Sequence, residues 1–423
     1  MASSSKGALH PVWTGAGEDF AAGGWRDDDE TRDGRVGKGD RDSDAFWARW
    51  REQCPVTEKV TYLNCGTLGP TLRGVAETVE RLRGEWMAAG PGANLGVAGA
   101  NGYFDMMATQ DRARKVLADW LKTDPRSVAL TGNATDGINF ALTSFAWQAG
   151  DRILTTTDEH GALIFPLERL KALYGVAVDT VDFPPAGGEK DWAREIQRLL
   201  TPRTRLLALS SVSHQTGVAI DLSRILKVLD MAAVWILVDG SHAAGTRWPL
   251  LVPGVDFYVF PGHKWLFGPA GSGVLWVSPR ALAELDGPQA GAPMISAEDG
   301  RPLGRDGAWR YEYGTRDWTV TAGLAAAVIF RQQWDEATIM RHYEEVGEAF
   351  RTGFGQAGQP KLTGSGPLLH VVMDDPGRVA RQVWDQARMI VKPDGSGIRI
   401  SLPPWLTPEE GAAAGRTLAG CAS

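Results

Sequence analysis

Short apolar runs recur through the middle of the chain, and segments with helical spacing separate them. "SVALTG", "RILTTT", "VAVDTVDF", "RLLALSSV", "VWILVDGS" and "DFYVFPG" have the apolar content of strands buried on both faces, and "SGVLWVSP" adds a last one. "VAETVERLRGEWMAAG", "DRARKVLADWLK", "DGINFALTSFAW", "ALIFPLERLKALYG" and "DLSRILKVLDMA" place apolar residues three and four apart and predict helices. This alternation predicts an α/β fold with a mostly parallel sheet covered by helices on both faces. Ligands of such sheets sit outside the carboxyl ends of the strands.

The texture changes twice. Residues 1–44 are rich in Gly, Asp and Arg and bury too little apolar area to offset ordering entropy, so they are expected to form a disordered extension. A helix is expected to start near Asp44, with that residue as its cap, and to run through "AFWARWREQC". Residues 45–74 are expected to pack with the small domain, and residues 75–290 to form the large domain. After a Gly/Pro-rich stretch, residues 291–423 hold helices and the strand-like runs "LLHVVMD" and "GIRISL", as expected of a smaller C-terminal α/β domain.

Composition narrows the function. The net charge of −7 over 423 residues argues against nucleic acid or an anionic membrane as the main partner. The three cysteines, Cys54, Cys65 and Cys421, fit neither a zinc site nor a disulfide framework, and no metal is expected. The N-terminus lacks the pattern of a signal peptide, and no run is long and apolar enough to span a membrane. A cytoplasmic location is expected.

Four stretches offer chemistry at strand ends. In residues 128–139 an apolar strand runs into Asn133, Ala134 and Thr135 at a helix start, which is either an anion site or a simple capped turn. Asp239 ends a fully apolar strand and serves there as a helix cap, a metal ligand or the partner of a protonated heterocycle; His242 follows it. Lys264, in "FPGHKWLFGP", is either a desolvated nucleophile or a side chain reaching for water over Trp265 and Phe267. His160 follows another strand, where packing or capping is the ordinary role. Together they match the needs of pyridoxal phosphate: a nest for phosphate, a carboxylate for the ring nitrogen, an amine for the aldehyde and a flat lid.

The ordered set "YLNCGTLGPT", "GNATDGIN", "DEHGALIFP", "VDGSHAAG", "GHKWLFGPAGSGVLWV", "YGTRDW" and "IRISLPPWLTPEE" resembles the class V aminotransferase family of fold-type I pyridoxal-phosphate enzymes. The resemblance covers roughly residues 60–415 and leans to the isopenicillin N epimerase-like branch, related to cysteine desulfurases and C–S lyases. It implies a large domain with a seven-stranded sheet. Lys264 would be the covalent anchor and proton carrier, Asp239 the partner of the ring nitrogen, and His160 the residue stacked on the ring. His242 would reach the phenolic oxygen, and Asn133, Ala134, Thr135 and His263 would hold the phosphate. Gly314 and Thr315 would reach the neighbouring subunit's phosphate, which implies a homodimer with shared sites. Arg399 would bind the substrate α-carboxylate. His214, as a ring-proximal residue or proton donor, and Cys65, as a pocket residue, complete the set.

Two departures stand out. Pro261 replaces a serine that relatives use toward phosphate. The loop before Arg399, "MIVKPDGSG", lacks the cysteine that persulfide-forming desulfurases need. Persulfide-based sulfur delivery is therefore not expected, and the expected chemistry is β-elimination from a cysteine S-conjugate, which needs only Lys264 as base, in sulfur or secondary metabolism. Epimerisation, decarboxylation coupled to oxidative deamination, transamination and a non-catalytic cofactor-binding regulator stand as the alternatives.

Overall fold

The computed structural model describes residues 43–89, 101–184, 188–228, 234–287, 307–355 and 361–422. Residues 1–42 of the expected disordered extension and the expected boundary at residue 290 lie outside these residues, whereas Ser43 and Asp44 are helical. The first described helix spans Ser43–Glu52, so Asp44 falls within it and does not cap it.

Seven strands form the central sheet: β1 (Val128–Thr131), β2 (Arg152–Thr156), β3 (Ala177–Val181), β4 (Thr204–Ser210), β5 (Trp235–Asp239), β6 (Phe257–Pro261) and β7 (Gly273–Val277). Their spatial order is β1-β7-β6-β5-β4-β2-β3. All neighbours are parallel except β7, which runs antiparallel to both β6 and β1. The two reversals restore the direction of β1, so its carboxyl end lies on the same edge as those of β2 to β6. The α/β fold with its mostly parallel sheet is thus present as expected.

Period-two alternation explains why the central strands read as unbroken apolar runs. In β5, Trp235 and Leu237 enter the core on one face while Ile236 and Val238 enter the core on the other. In β6, Phe257 and Val259 oppose Tyr258 and Phe260 in the same way. Each such burial stabilises the fold by about 1.5–3 kcal/mol, so the register of the inner strands is tightly fixed.

Helix α1 (Ala134–Leu142) follows β1, and α2 (Gly161–Tyr174) follows β2. The structure ends α1 at Leu142, earlier than its apolar spacing suggests. A largely buried helix, α3 (Trp318–Arg331), packs on the sheet side that holds Phe260 and Val274. It leads to α4 (Glu336–Phe354), which packs on the final helix, α5 (Pro408–Ala422).

A second sheet is antiparallel throughout. It contains β8 (Leu362–Ser365), β9 (Leu368–Val372), β10 (Lys392–Pro393) and β11 (Gly397–Ser401), in the order β10-β11-β9-β8. The early segment joins this part of the molecule. Thr61–Tyr62 pairs with Met389–Ile390, and Ser401 N donates to Leu63 O at 2.9 Å. Among the described residues, no helix is long and apolar enough to cross a membrane, and no cluster of side chains is suited to a metal ion.

Candidate active site

A cavity of about 710 Å³ opens where the carboxyl ends of the central strands meet the second sheet. Most residues singled out by sequence line it. Asn133, Ala134 and Thr135 come from the turn after β1, and His160 from the turn after β2. His214 follows β4, Asp239 ends β5 and His242 follows it; His263 and Lys264 follow β6. Arg399 enters from β11, on the opposite wall.

Lys264 is half-buried and lines the cavity. Burial lowers its pKa from the ordinary 10.5 to about 8, with Asp239 acting to raise it and Arg399 to lower it. A hydrogen-bond relay explains how the amine is held. Trp265 Nε1–H donates to His242 Nδ1 at 3.3 Å. An indole nitrogen only donates, so Nδ1 is the acceptor and the ring proton sits on Nε2. That nitrogen lies 3.4 Å from Lys264 Nζ and can donate to the amine once the amine has lost its proton. His242 is itself kept neutral, its pKa held far below the usual range by burial and then by Lys264 and Arg399. Trp265 therefore supplies a proton-fixing contact besides apolar support.

The backbone around Lys264 leaves no slack. Gly69 N donates to His263 O at 2.7 Å, and a Cβ at Gly69 would stand 2.1 Å from Lys264 O. The glycine in "LNCGTLGPT" is needed for this approach. Phe267, three residues after the lysine, is fully buried with φ +57, a left-handed conformation that bulky residues rarely adopt.

Asp239 is buried, and its Oδ1 accepts from Ser241 N at 2.8 Å. Asn133 caps α1 by accepting from Asp136 N at 2.9 Å, which turns the start of that helix toward the cavity. His160 caps α2 through Nδ1, which accepts from Ala162 N at 3.1 Å. Pro261 closes β6 opposite Gly273 and faces the cavity with no N–H to offer. Close by, the buried His263 Nδ1 has no partner.

Arg399 donates to His214 O at 3.0 Å and to Thr67 Oγ1 at 2.7 Å, while its buried Nε is unpaired. Burial lowers its pKa, opposed by Asp394. Lys392 lies beside it as its cross-strand partner in β10 and lines the same wall. The turn joining β10 to β11 is held by Asp394 Oδ1, which accepts from Ser396 N at 2.8 Å and Gly397 N at 2.9 Å.

One of the residues expected in the pocket lies elsewhere. Cys65 is fully buried in the aromatic core and does not line the cavity; its neighbours Gly66 and Thr67 do. Burial raises its thiol pKa far above the usual range, so it is an inert packing residue. Gly314 and Thr315 are exposed and stand outside this cavity.

Several lining residues were not singled out by sequence: Thr67, Ser210, Ser241, Lys392, Asp394 and Ser396. The Gly/Asp-rich turn signal near residue 394 marks a loop, and nothing in it says that the loop faces the strand ends. Ser210 Oγ donates to Glu159 Oε2 at 2.6 Å, and burial raises the pKa of that carboxyl to about 7.

This arrangement has counterparts among known proteins. The cystine C–S lyase C-DES, solved with its product cysteine persulfide, has a TM-score of 0.75 and 27% identity, covering 88% of this chain and 99% of that one. A C-DES variant with glycine covalently linked to its PLP cofactor scores 0.76 at 26% identity, with the same shares covered. Isopenicillin N epimerase of Streptomyces clavuligerus is 28% identical over 395 residues, 86% of this chain and 96% of the relative. A cysteine desulfurase of Klebsiella pneumoniae is 32% identical over 251 residues, 56% of this chain and 61% of the relative. The sequence profile described as Aminotransferase class-V matches residues 98–369, from the helix before β1 through the whole central sheet and into β9. By that match the chain belongs to the class V aminotransferase family.

Proposed function

We propose that the chain binds pyridoxal phosphate in this cavity and acts on the Cα–H bond of an α-amino acid, most specifically to cleave the C–S bond of a cysteine S-conjugate. The observation that carries the reading is the buried Lys264 amine, held by the Trp265–His242 relay in the cavity shared with Asp239 and Arg399.

The residues fit the cofactor. Lys264 would hold the aldehyde carbon and Asp239 the ring nitrogen, with His160 and His242 against the ring. Thr135, the start of α1 and the unpaired His263 Nδ1 would hold the phosphate, and Pro261 would contribute nothing to it. Bound there, the cofactor supplies an electron-withdrawing ring that makes Cα–H acidic.

The side chains do the rest. Arg399 orients the substrate carboxylate with its planar fork, and the unpaired Nε is an open donor for it. Lys264 Nζ, freed by the incoming amine, takes the Cα proton. A thiolate then leaves from Cβ with its bonding electrons. Lys392 and Ser396 border the space available to the departing group.

Cleavage without a protein-bound persulfide is supported by the cysteines. Cys54, Cys65 and Cys421 are all buried, and none lines the cavity. The turn that faces the substrate side carries Lys392, Asp394 and Ser396 instead. The exposed Gly314 and Thr315 suit a homodimer in which each copy completes the phosphate site of the other.

The test begins with borohydride reduction of the cofactor-loaded chain. A stable adduct is expected on Lys264, absent in Lys264→Ala; a loaded wild type without it removes the cofactor reading. Incubation with cysteine S-conjugates should then release pyruvate and a free thiol in equal amounts. Loss of carbon dioxide with oxygen consumption would replace elimination by oxidative decarboxylation. Sedimentation at equilibrium tests the dimer, which a monomer at micromolar concentration would rule out.

A further inference from the structure

Arg399 and Lys392 stand directly opposite each other where β11 pairs with β10. Alternation fixes the face they share. Ile398 and Ile400 enter the core behind the second sheet, so Arg399 between them points the other way, into the cavity. Directly opposite residues share a face, with Cβ atoms about 4.5–5.5 Å apart, and Lys392 lines the same wall. Like charges set opposite each other across two strands repel. An anion in front of both reverses the sign of that interaction.

The protein's own carboxylates do not fill that place. Of the described residues lining the cavity, only Asp239 and Asp394 are acidic. Asp239 ends β5 on the parallel side, where on the cofactor reading it faces the ring nitrogen. Asp394 offsets part of the Arg399 charge but is turned into its own loop. Its Oδ1 accepts from Ser396 Oγ at 2.9 Å besides the two backbone donors, and its Oδ2 lies 3.3 Å from His370 Nε2. Lys392 is exposed and has no ion-pair partner among the described residues. The substrate side of the cavity therefore carries a second cation, beside the arginine and free to meet a second anion.

We infer that Lys392 is a specificity-determining residue, and that the preferred substrates are cysteine S-conjugates whose departing thiol carries a carboxylate of its own. The inference rests on the elimination reading above and names its substrate class. Arg399 orients the α-carboxylate, and Lys392 holds the distal one. Lys392 takes no part in bond breaking. The C–S bond breaks, sulfur keeps the electron pair, and the distal carboxylate keeps the leaving group on this wall until it is released. With S-carboxymethyl-L-cysteine and water the products are pyruvate, ammonia and mercaptoacetate, and no oxidant or reductant is needed. A contact made by an exposed amine is also open to screening by salt.

The experiment compares S-carboxymethyl-L-cysteine with S-carbamoylmethyl-L-cysteine, which have the same shape and differ by one negative charge. The readout is the ratio of their kcat/KM values for thiol release by the cofactor-loaded chain. A ratio taken within each variant cancels losses of folding or basal activity. Comparing ratios between variants cancels the different leaving abilities of the two thiols. In Lys392→Met the ratio should fall at least about 10-fold from wild type, the scale of one charge-assisted hydrogen bond. Lys392→Arg should keep it, and Lys392→Glu should lower it further. Added salt should lower the ratio in wild type and leave it unchanged in Lys392→Met. A second readout needs no turnover: calorimetric binding of adipate, whose carboxylates have the same chain spacing, and of its monoamide to the loaded chain. Wild type should bind adipate at least about 10-fold more tightly than the monoamide, and Lys392→Met should lose that preference. Thiol release with the same ratio in wild type and Lys392→Met overturns the proposal alone. A Lys392-dependent adipate preference without thiol release from either conjugate removes elimination and leaves the selection of a second carboxylate standing.

Discussion

Raising the pH through the titration of Lys264 should accelerate capture of pyridoxal phosphate by the cofactor-free chain. Burial brings the amine from 10.5 to about 8. At pH 7.5 about a quarter of such amines are neutral, against roughly one in a thousand for an ordinary lysine, a gain of about 200-fold in nucleophile. The assay is the second-order rate of growth of the cofactor's visible absorbance between pH 6 and 10. It should rise to a plateau with a midpoint near 8. Asp239 raises and Arg399 lowers the amine's proton affinity, so Asp239→Asn should move the midpoint down and Arg399→Ala should move it up. The same shift governs stability. Between about 8 and 10.5 the unfolded lysine holds a proton that the folded one has lost, so stability rises with pH across that window. Below it the penalty is complete, and Lys264→Met should stabilise the cofactor-free chain by about 3 kcal/mol at pH 7, with no difference above the window. A capture midpoint near 10.5, or shifts of the same sign in the two variants, would refute the reasoning.

Arg399→Ala should weaken binding of α-carboxylate ligands by about 10- to 100-fold while changing cofactor affinity far less, as titrations of the loaded chain would show; equal losses would remove the carboxylate role. Gly69→Ala pushes a methyl group against Lys264 O and should cost about 1–3 kcal/mol in thermal unfolding and slow cofactor capture. Glu312 accepts from Leu130 N at 2.7 Å and pairs with the buried Arg114, so Glu312→Ala strands a charge beside β1. It should lower stability by about 3–5 kcal/mol in urea unfolding, and a loss under 1 kcal/mol would mean that water reaches Arg114.

The central sheet was legible because its inner strands are buried on both faces and read as apolar runs, and all seven runs became strands. Lys264 and Asp239 were legible as polar residues placed against apolar runs, and Arg399 only through the resemblance carried by "IRISL". Other features left no such trace. Strand β10 has only two residues, both exposed, and its pairing with β11 is what brings Lys392 beside Arg399. Asp158 and His214 are separated by 55 intervening positions and meet through the adjacency of β2 and β4. Cys65 was misplaced because the backbone turn at Gly66 decides which neighbour faces the cavity, and residue types do not reveal that.

The cavity takes its walls from two sheets of different construction. Lys264, Asp239 and His160 stand on a rigid parallel scaffold, whereas Arg399, Lys392 and Ser396 belong to a short antiparallel one. The turn between β10 and β11 is held by its own Asp394 contacts, so its residues can be exchanged without disturbing the parallel strands. Bond-breaking and substrate choice are therefore separable inheritances in this chain. A lineage, or an engineer, could exchange Lys392 or Ser396 to admit a new side chain while Asp394 keeps the turn and the proton-transfer apparatus stays intact.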